Sequence, residues 1–151
     1  MSAVHTEASR GLYYASEPQL KDDGQKTWIT RSANVVVVVS QVSAGTELVR
    51  SDNPDEYMLL LPPGVRADIT AGSGSLRAEG ETLTILPPGQ SSIRVLDSGL
   101  VTRVFTVRAA DLADKAENAS VYANGAPGVA PLKDWPAPAG GFKLRNYTLA
   151  Q

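Results

Sequence analysis

Cysteine is missing from the 151 residues, and histidine occurs once, as His5. Those two facts exclude many chemistries. Disulfide scaffolds, thiolate metal sites, cysteine nucleophiles and redox switches all need sulfur, and a multi-histidine metal centre cannot be assembled within one chain. A surplus of positive charge is missing too: 14 Lys and Arg against 16 Asp and Glu leave a net charge of −2, which offers no footprint for nucleic acid and no polybasic anchor for a membrane. No apolar run approaches the length of a membrane span, and the first residues lack the basic start and apolar stretch of a secretory signal. The expectation is a cytoplasmic protein with neither nucleic acid nor membrane as partner, and with no metal or other cofactor. His5, in the N-terminal segment, receives no role.

What the chain does have is punctuation. Its length suits one domain with a real core, and its middle is a series of short apolar or alternating runs separated by glycine and proline turns, the pattern of an all-β sandwich or barrel. Strands are expected at 26–31, 34–42, 45–50, 57–61, 65–70, 76–78, 81–86, 92–96 and 100–107. The five valines at 35–39 suggest a strand buried on both faces or placed in a closed sheet. Leu-Pro-Pro-Gly occurs twice, at 61–64 and 86–89, and reads as two similar turns at one end of a barrel, because proline ends a ladder and glycine tolerates the reversal. The composition at 109–119 favours a short helix. An irregular Pro/Gly-rich tail follows and ends in a strand near 142–149. The expected divisions are an N-terminal segment (1–25), a barrel (26–108), and a helix and tail (109–151) packing on the barrel or on a partner subunit.

The order of these features resembles the cupin superfamily, whose small jelly-roll β-barrels carry two motifs. The first, G-x5-H-x-H-x3,4-E-x6-G, matches at Gly45 and Gly64, with Ser51, Asn53 and Tyr57 at the three ligand positions. A register one residue earlier puts Arg50, Asp52 and Glu56 there instead. The second, G-x5-P-x-G-x2-H-x3-N, matches at Pro87 and Gly89, with Gly80 one residue too far upstream, Ser92 at the histidine position and Leu96 at the asparagine position. The resemblance covers roughly 28–107 and implies a single cupin-like jelly-roll barrel that has kept the turn residues and lost the metal ligands.

Such a barrel can still bind. By strand alternation Arg94 shares a face with Ser92, and an inward guanidinium must be paired, wet, or engaged with a ligand carboxylate. Tyr57 offers a phenol to a ligand oxygen. The candidate ligand-binding residues are therefore Arg94, Tyr57, Ser92, Asn53, Ser51, Glu56, Arg50 and Asp52. Asp55 and Glu56 could form an acid/base pair, though neighbours on a strand face opposite sides. Arg66 and Asp68 share a face and could pair with each other. Three functions stay open: a metal-independent cupin-like protein binding a small polar or anionic organic molecule, a metal-independent isomerase or lyase, and a structural protein with a filled barrel. The resemblance also implies a homodimer, with the N-terminal segment or the aromatic tail at its interface.

Overall fold

The computed structural model describes residues 9–148. Eleven strands order them: β1 (Leu20–Asp22), β2 (Gln25–Arg31), β3 (Val35–Val42), β4 (Glu47–Asn53), β5 (Tyr57–Leu61), β6 (Ala67–Ala71), β7 (Gly74–Ala78), β8 (Thr82–Leu86), β9 (Gly89–Val95), β10 (Gly99–Thr106) and β11 (Arg145–Thr148). Seven form one sheet in the order β1-β2-β3-β10-β5-β8-β11, and four form a second in the order β4-β9-β6-β7. All pairings are antiparallel. The two sheets face each other as a jelly roll.

Period-two alternation builds the core between them. Along β5, Tyr57, Leu59 and Leu61 are buried while Met58 and Leu60 are exposed. Val36, Val38, Leu59, Leu86, Ile93 and Val101 are wholly buried, and each contributes about 1.5–3 kcal/mol relative to an exposed side chain. The valine run of β3 serves both faces. Val36 and Val38 enter the core, and Val39, on the opposite face, is also buried beside its cross-strand neighbour Trp28.

Several expectations are corrected. Both Leu-Pro-Pro-Gly segments end in a glycine of positive φ, 77° at Gly64 and 96° at Gly89, a region that glycine enters without strain, but the first is a turn closed by Val65 N–H on the Pro62 carbonyl and in the second Gly89 already opens β9. They lie at opposite ends of the sheet, however, because β5 and β8 are antiparallel neighbours with Tyr57 opposite Leu86 and Leu61 opposite Thr82. The helix is only α1 (Ala110–Ala113), followed by a 3-10 turn at Ala119–Tyr122. It has no side-chain N-cap, so composition alone sustains little more than one turn. The gap between the strands expected at 65–70 and 76–78 narrows, with β6 and β7 running through Ala71 and Gly74 to pair directly. A strand not foreseen, β1, pairs with β2. The terminal strand β11 adds to the barrel's own β8. His5 lies outside the described residues. Among them, no helix is long and apolar enough to cross a membrane.

Candidate functional site

The site is assembled from both sheets at the end of the barrel where Pro87-Pro88-Gly89 turns. β4 pairs regularly with β9 as far as Arg50 opposite Ser91, then its register shifts before Asn53 meets Gly89. A bulge of this kind re-aims side chains. As a result Arg50 and Asn53 both turn inward, with the Arg50 side chain 11% exposed and Asn53 buried, while Ser51 and Asp52 between them are exposed. Neither sequence register is followed throughout. The bulge takes one inward residue from each.

On β9 the inward residues are Ser91, Ile93 and Val95. Ser92 and Arg94, candidates for the interior if Ser92 pointed inward, therefore face out. Ser92 donates a 2.5 Å hydrogen bond to Glu47, and Arg94 is exposed. The physical reason is the period of two, by which a displacement of one residue exchanges every inward side chain for its outward neighbour. Glu56 is also outside the cluster, held at 2.7 Å by Arg145 of β11. Its neighbour Asp55 accepts from Thr106 at 2.5 Å and pairs with Arg108 at 3.1 Å. Asp55 and Glu56 thus have separate cationic partners and form no acid/base pair. Arg66 and Asp68 do not pair with each other either; Arg66 binds Asp97 and Asp68 binds Arg77.

Tyr57 lies at the centre, 1% exposed. Its hydroxyl and that of Ser91 are 2.7 Å apart, a hydrogen bond across the gap between the sheets, and its ring stacks on Phe105 of β10 at 4.5 Å. Burial pushes the Tyr57 phenol above its ordinary pKa, opposed by the Ser91 hydrogen bond and by the charges of Arg103 and Arg50. The phenol is therefore a neutral hydrogen-bonding group through the physiological range.

Two guanidiniums flank this stack. Arg50 lies 5.4 Å from the Phe105 ring centroid and Arg103 lies 5.7 Å from it, near enough for cation–π attraction. Their situations differ sharply. Arg50 donates from Nη1 and Nη2 to Asp111 of α1 at 2.6 and 2.9 Å and from Nε to Asn53 Oδ1 at 3.1 Å. Asn53 in turn donates to the Asp55 carbonyl at 2.7 Å. The Arg50 hydrogen bond holds the Asp111 carboxyl below the usual carboxylate range. Arg103, 6% exposed, has no ion pair or side-chain hydrogen bond among the described residues, and its Nε is buried without an acceptor. Burial pulls its pKa down to about 10. At neutral pH it is still a cation, set between Val38 and Leu59 in the cross-strand row of the large sheet.

Arg103, Ser91, Phe105 and Asp111 escaped the sequence reading. The only signal for Arg103 was its place between Val101 and Phe105 at period two, and the opposite face of the same strand, with Leu100 and Val104, is almost as apolar. Asp111 is brought in by α1, which pattern alone does not place over the β4 bulge. A transition metal, which the cupin resemblance brings to mind, does not fit this donor set. Two guanidiniums repel a cation, and hydroxyls with an amide offer no imidazole or thiolate. Among the described residues no group of three or more His, Cys, Asp or Glu could hold a metal ion.

No protein-family model matches the sequence, and no curated protein does. Solved structures do match in fold. KdgF from a Halomonas species superposes with a TM-score of 0.58 at 14% identity, over 68% of this chain and 98% of that one. An RmlC-like cupin from Shewanella frigidimarina gives 0.56 at 11% identity, over 68% and 94%. Another, from Desulfovibrio desulfuricans, gives 0.50 at 20%, over 66% and 96%. These identities carry the architecture and no more. With its two antiparallel sheets, its paired glycine and proline turns and these neighbours, the chain folds as a cupin.

Proposed function

We propose that the protein binds a small organic anion between its sheets, without a metal, at the cluster of Arg103, Tyr57, Ser91, Arg50 and Asn53. One observation carries this reading: a guanidinium buried without an anionic partner among the described residues. Burying a bare charge costs several kcal/mol, so the native chain keeps Arg103 at the expense of stability, and a ligand carboxylate would supply the missing acceptors in a two-pronged hydrogen bond. The Tyr57 and Ser91 hydroxyls, one donating to the other, leave one neutral donor for the ligand. An acid/base enzyme gains no comparable support, since Asp55 and Glu56 are engaged elsewhere. The reading keeps the cytoplasm as the compartment, which cell fractionation tests.

A thermal-shift screen of small carboxylates tests the proposal. A ligand at a hundred times its Kd adds about 2.7 kcal/mol, ample for detection. Carboxylates should raise the melting temperature of the wild type and leave Arg103→Met unmoved. If none shifts the wild type, the barrel is a filled, structural one. Elemental analysis of untagged protein is expected to show no stoichiometric iron, manganese, zinc, nickel or copper. One such metal per chain, resistant to mild chelation, would refute the metal-free part.

A further inference from the structure

The charge count of the cluster decides which anions it can hold, a step that rests on the reading that it binds one at all. Arg50 is spent: its three nitrogens are engaged by Asp111 and Asn53. Its positive charge is matched by the Asp111 carboxylate, which stands at the edge of the cluster with its side chain 57% exposed. Arg103 has no such counter-ion among the described residues. Tyr57, Ser91 and Asn53 are uncharged donors and acceptors. The cluster therefore carries one positive charge without a counter-ion among the described residues, beside Phe105 and the cross-strand neighbours Val38 and Leu59.

We propose that the site selects a monovalent carboxylate with a short apolar tail, and that Asp111 sets this selectivity by neutralising Arg50. A single carboxylate brings the local charge to zero and accepts from the unengaged N–H donors of Arg103. The tail packs against the apolar neighbours of Arg103, which are Phe105, Val38 and Leu59. A dicarboxylate or a doubly charged phosphate leaves one negative charge in surroundings that solvate it poorly, and the unpaired remainder is disfavoured. Removing the Asp111 charge frees Arg50 as a second cation and shifts the preference towards dianions.

Titration calorimetry at about pH 8, where dicarboxylates are doubly ionised and inorganic phosphate mostly so, tests this with propionate, butyrate, succinate and phosphate. The wild type should bind butyrate at least about ten-fold more tightly than succinate, which has the same number of carbons. Asp111→Asn should narrow or reverse that ratio, and Asp111→Ser should do the same, so that a folding defect in one variant does not decide the matter. Succinate or phosphate binding as tightly as butyrate to the wild type would overturn the monoanion assignment while leaving anion binding intact. An unchanged ratio in both folded variants would overturn the role of Asp111. No heat and no thermal shift with any of the four would instead refute the underlying anion-binding reading.

Discussion

Arg103 is the residue where stability and binding pull in opposite directions. Its folded pKa, down to about 10, lies below its ordinary value, so the charged form is less favourable in the native state than in the unfolded chain. The sign of the linkage follows. Below about pH 10 both states hold the proton and the native state bears the whole penalty; above it the unfolded chain binds more protons, and the Arg103 contribution becomes more favourable as pH rises. Arg103→Met, similar in volume and without charge, should therefore stabilise the ligand-free protein by about 1–3 kcal/mol. Urea denaturation at neutral pH measures it. A variant less stable than wild type by a similar amount would mean that Arg103 is compensated in solution. Asp111 behaves in the opposite sense. Its lowered carboxyl pKa gives stability that is present above the ordinary aspartate range and lost as pH falls through the folded pKa. Being largely exposed, it contributes little.

At the scale of elements, turns and bulges do most of the placing. Gly80, between β7 and β8, lies so close to the β5–β6 turn that a Cβ there would sit 2.7 Å from the Gly64 nitrogen and 2.8 Å from the Pro62 carbonyl. Those are backbone atoms and cannot swing aside. Gly80→Ala should cost roughly 1–3 kcal/mol, read as a lower denaturation midpoint with an unchanged slope; no loss would mean that the Pro62–Gly64 turn can move. The strands themselves were legible because alternation and turn residues leave few choices in β5, β8 and β10. The inward set of β4 was not. Motif spacing offered two registers, Ser51 with Asn53 or Arg50 with Asp52, and the bulge between Arg50 and Asn53 combines parts of both. In β9 the same one-residue ambiguity exchanged Ser91 for Ser92. Nothing local distinguishes two adjacent serines; only the pairing of β9 with β4 and β6 does.

At the scale of the molecule, the large sheet leaves an apolar outer face. One cross-strand row runs through Val39, Thr102, Leu60, Leu83 and Tyr147, and the next through Val37, Val104, Met58, Ile85 and Arg145. Met58, Leu60 and Tyr147 are each about 40% exposed, and the one charge in the two rows, Arg145, is matched by Glu56 at 2.7 Å. A neutral face of this kind offers a charged partner nothing to pair with, but a second copy of itself meets it without repulsion. We propose a two-fold homodimer through it, with the tail contributing Tyr147 of β11. A stable interface needs about 800 Å² from each subunit, which a face crossing five strands can supply. Light scattering should give twice the 15.9 kDa chain mass for the wild type and the monomer mass for Leu60→Asp. A wild-type monomer across the micromolar range would refute the dimer.

The sequence by itself determined the architecture and most of what is excluded. Cysteine and histidine content rules out whole classes of site whatever the fold, and turns made by glycine and proline are local events that can be read where they stand. Tertiary structure alone decided the site. Which of two adjacent residues faces inward depends on a bulge, on strand pairing across 45 residues of chain between Glu47 and Ser92, and on a one-turn helix laid over Arg50. Arg103 has the same chemistry on either face of a strand. It becomes a buried cation with no ion pair among the described residues because Val38 and Leu59 flank it and because Asp111 pairs with Arg50, and that choice is made by the packing of distant segments.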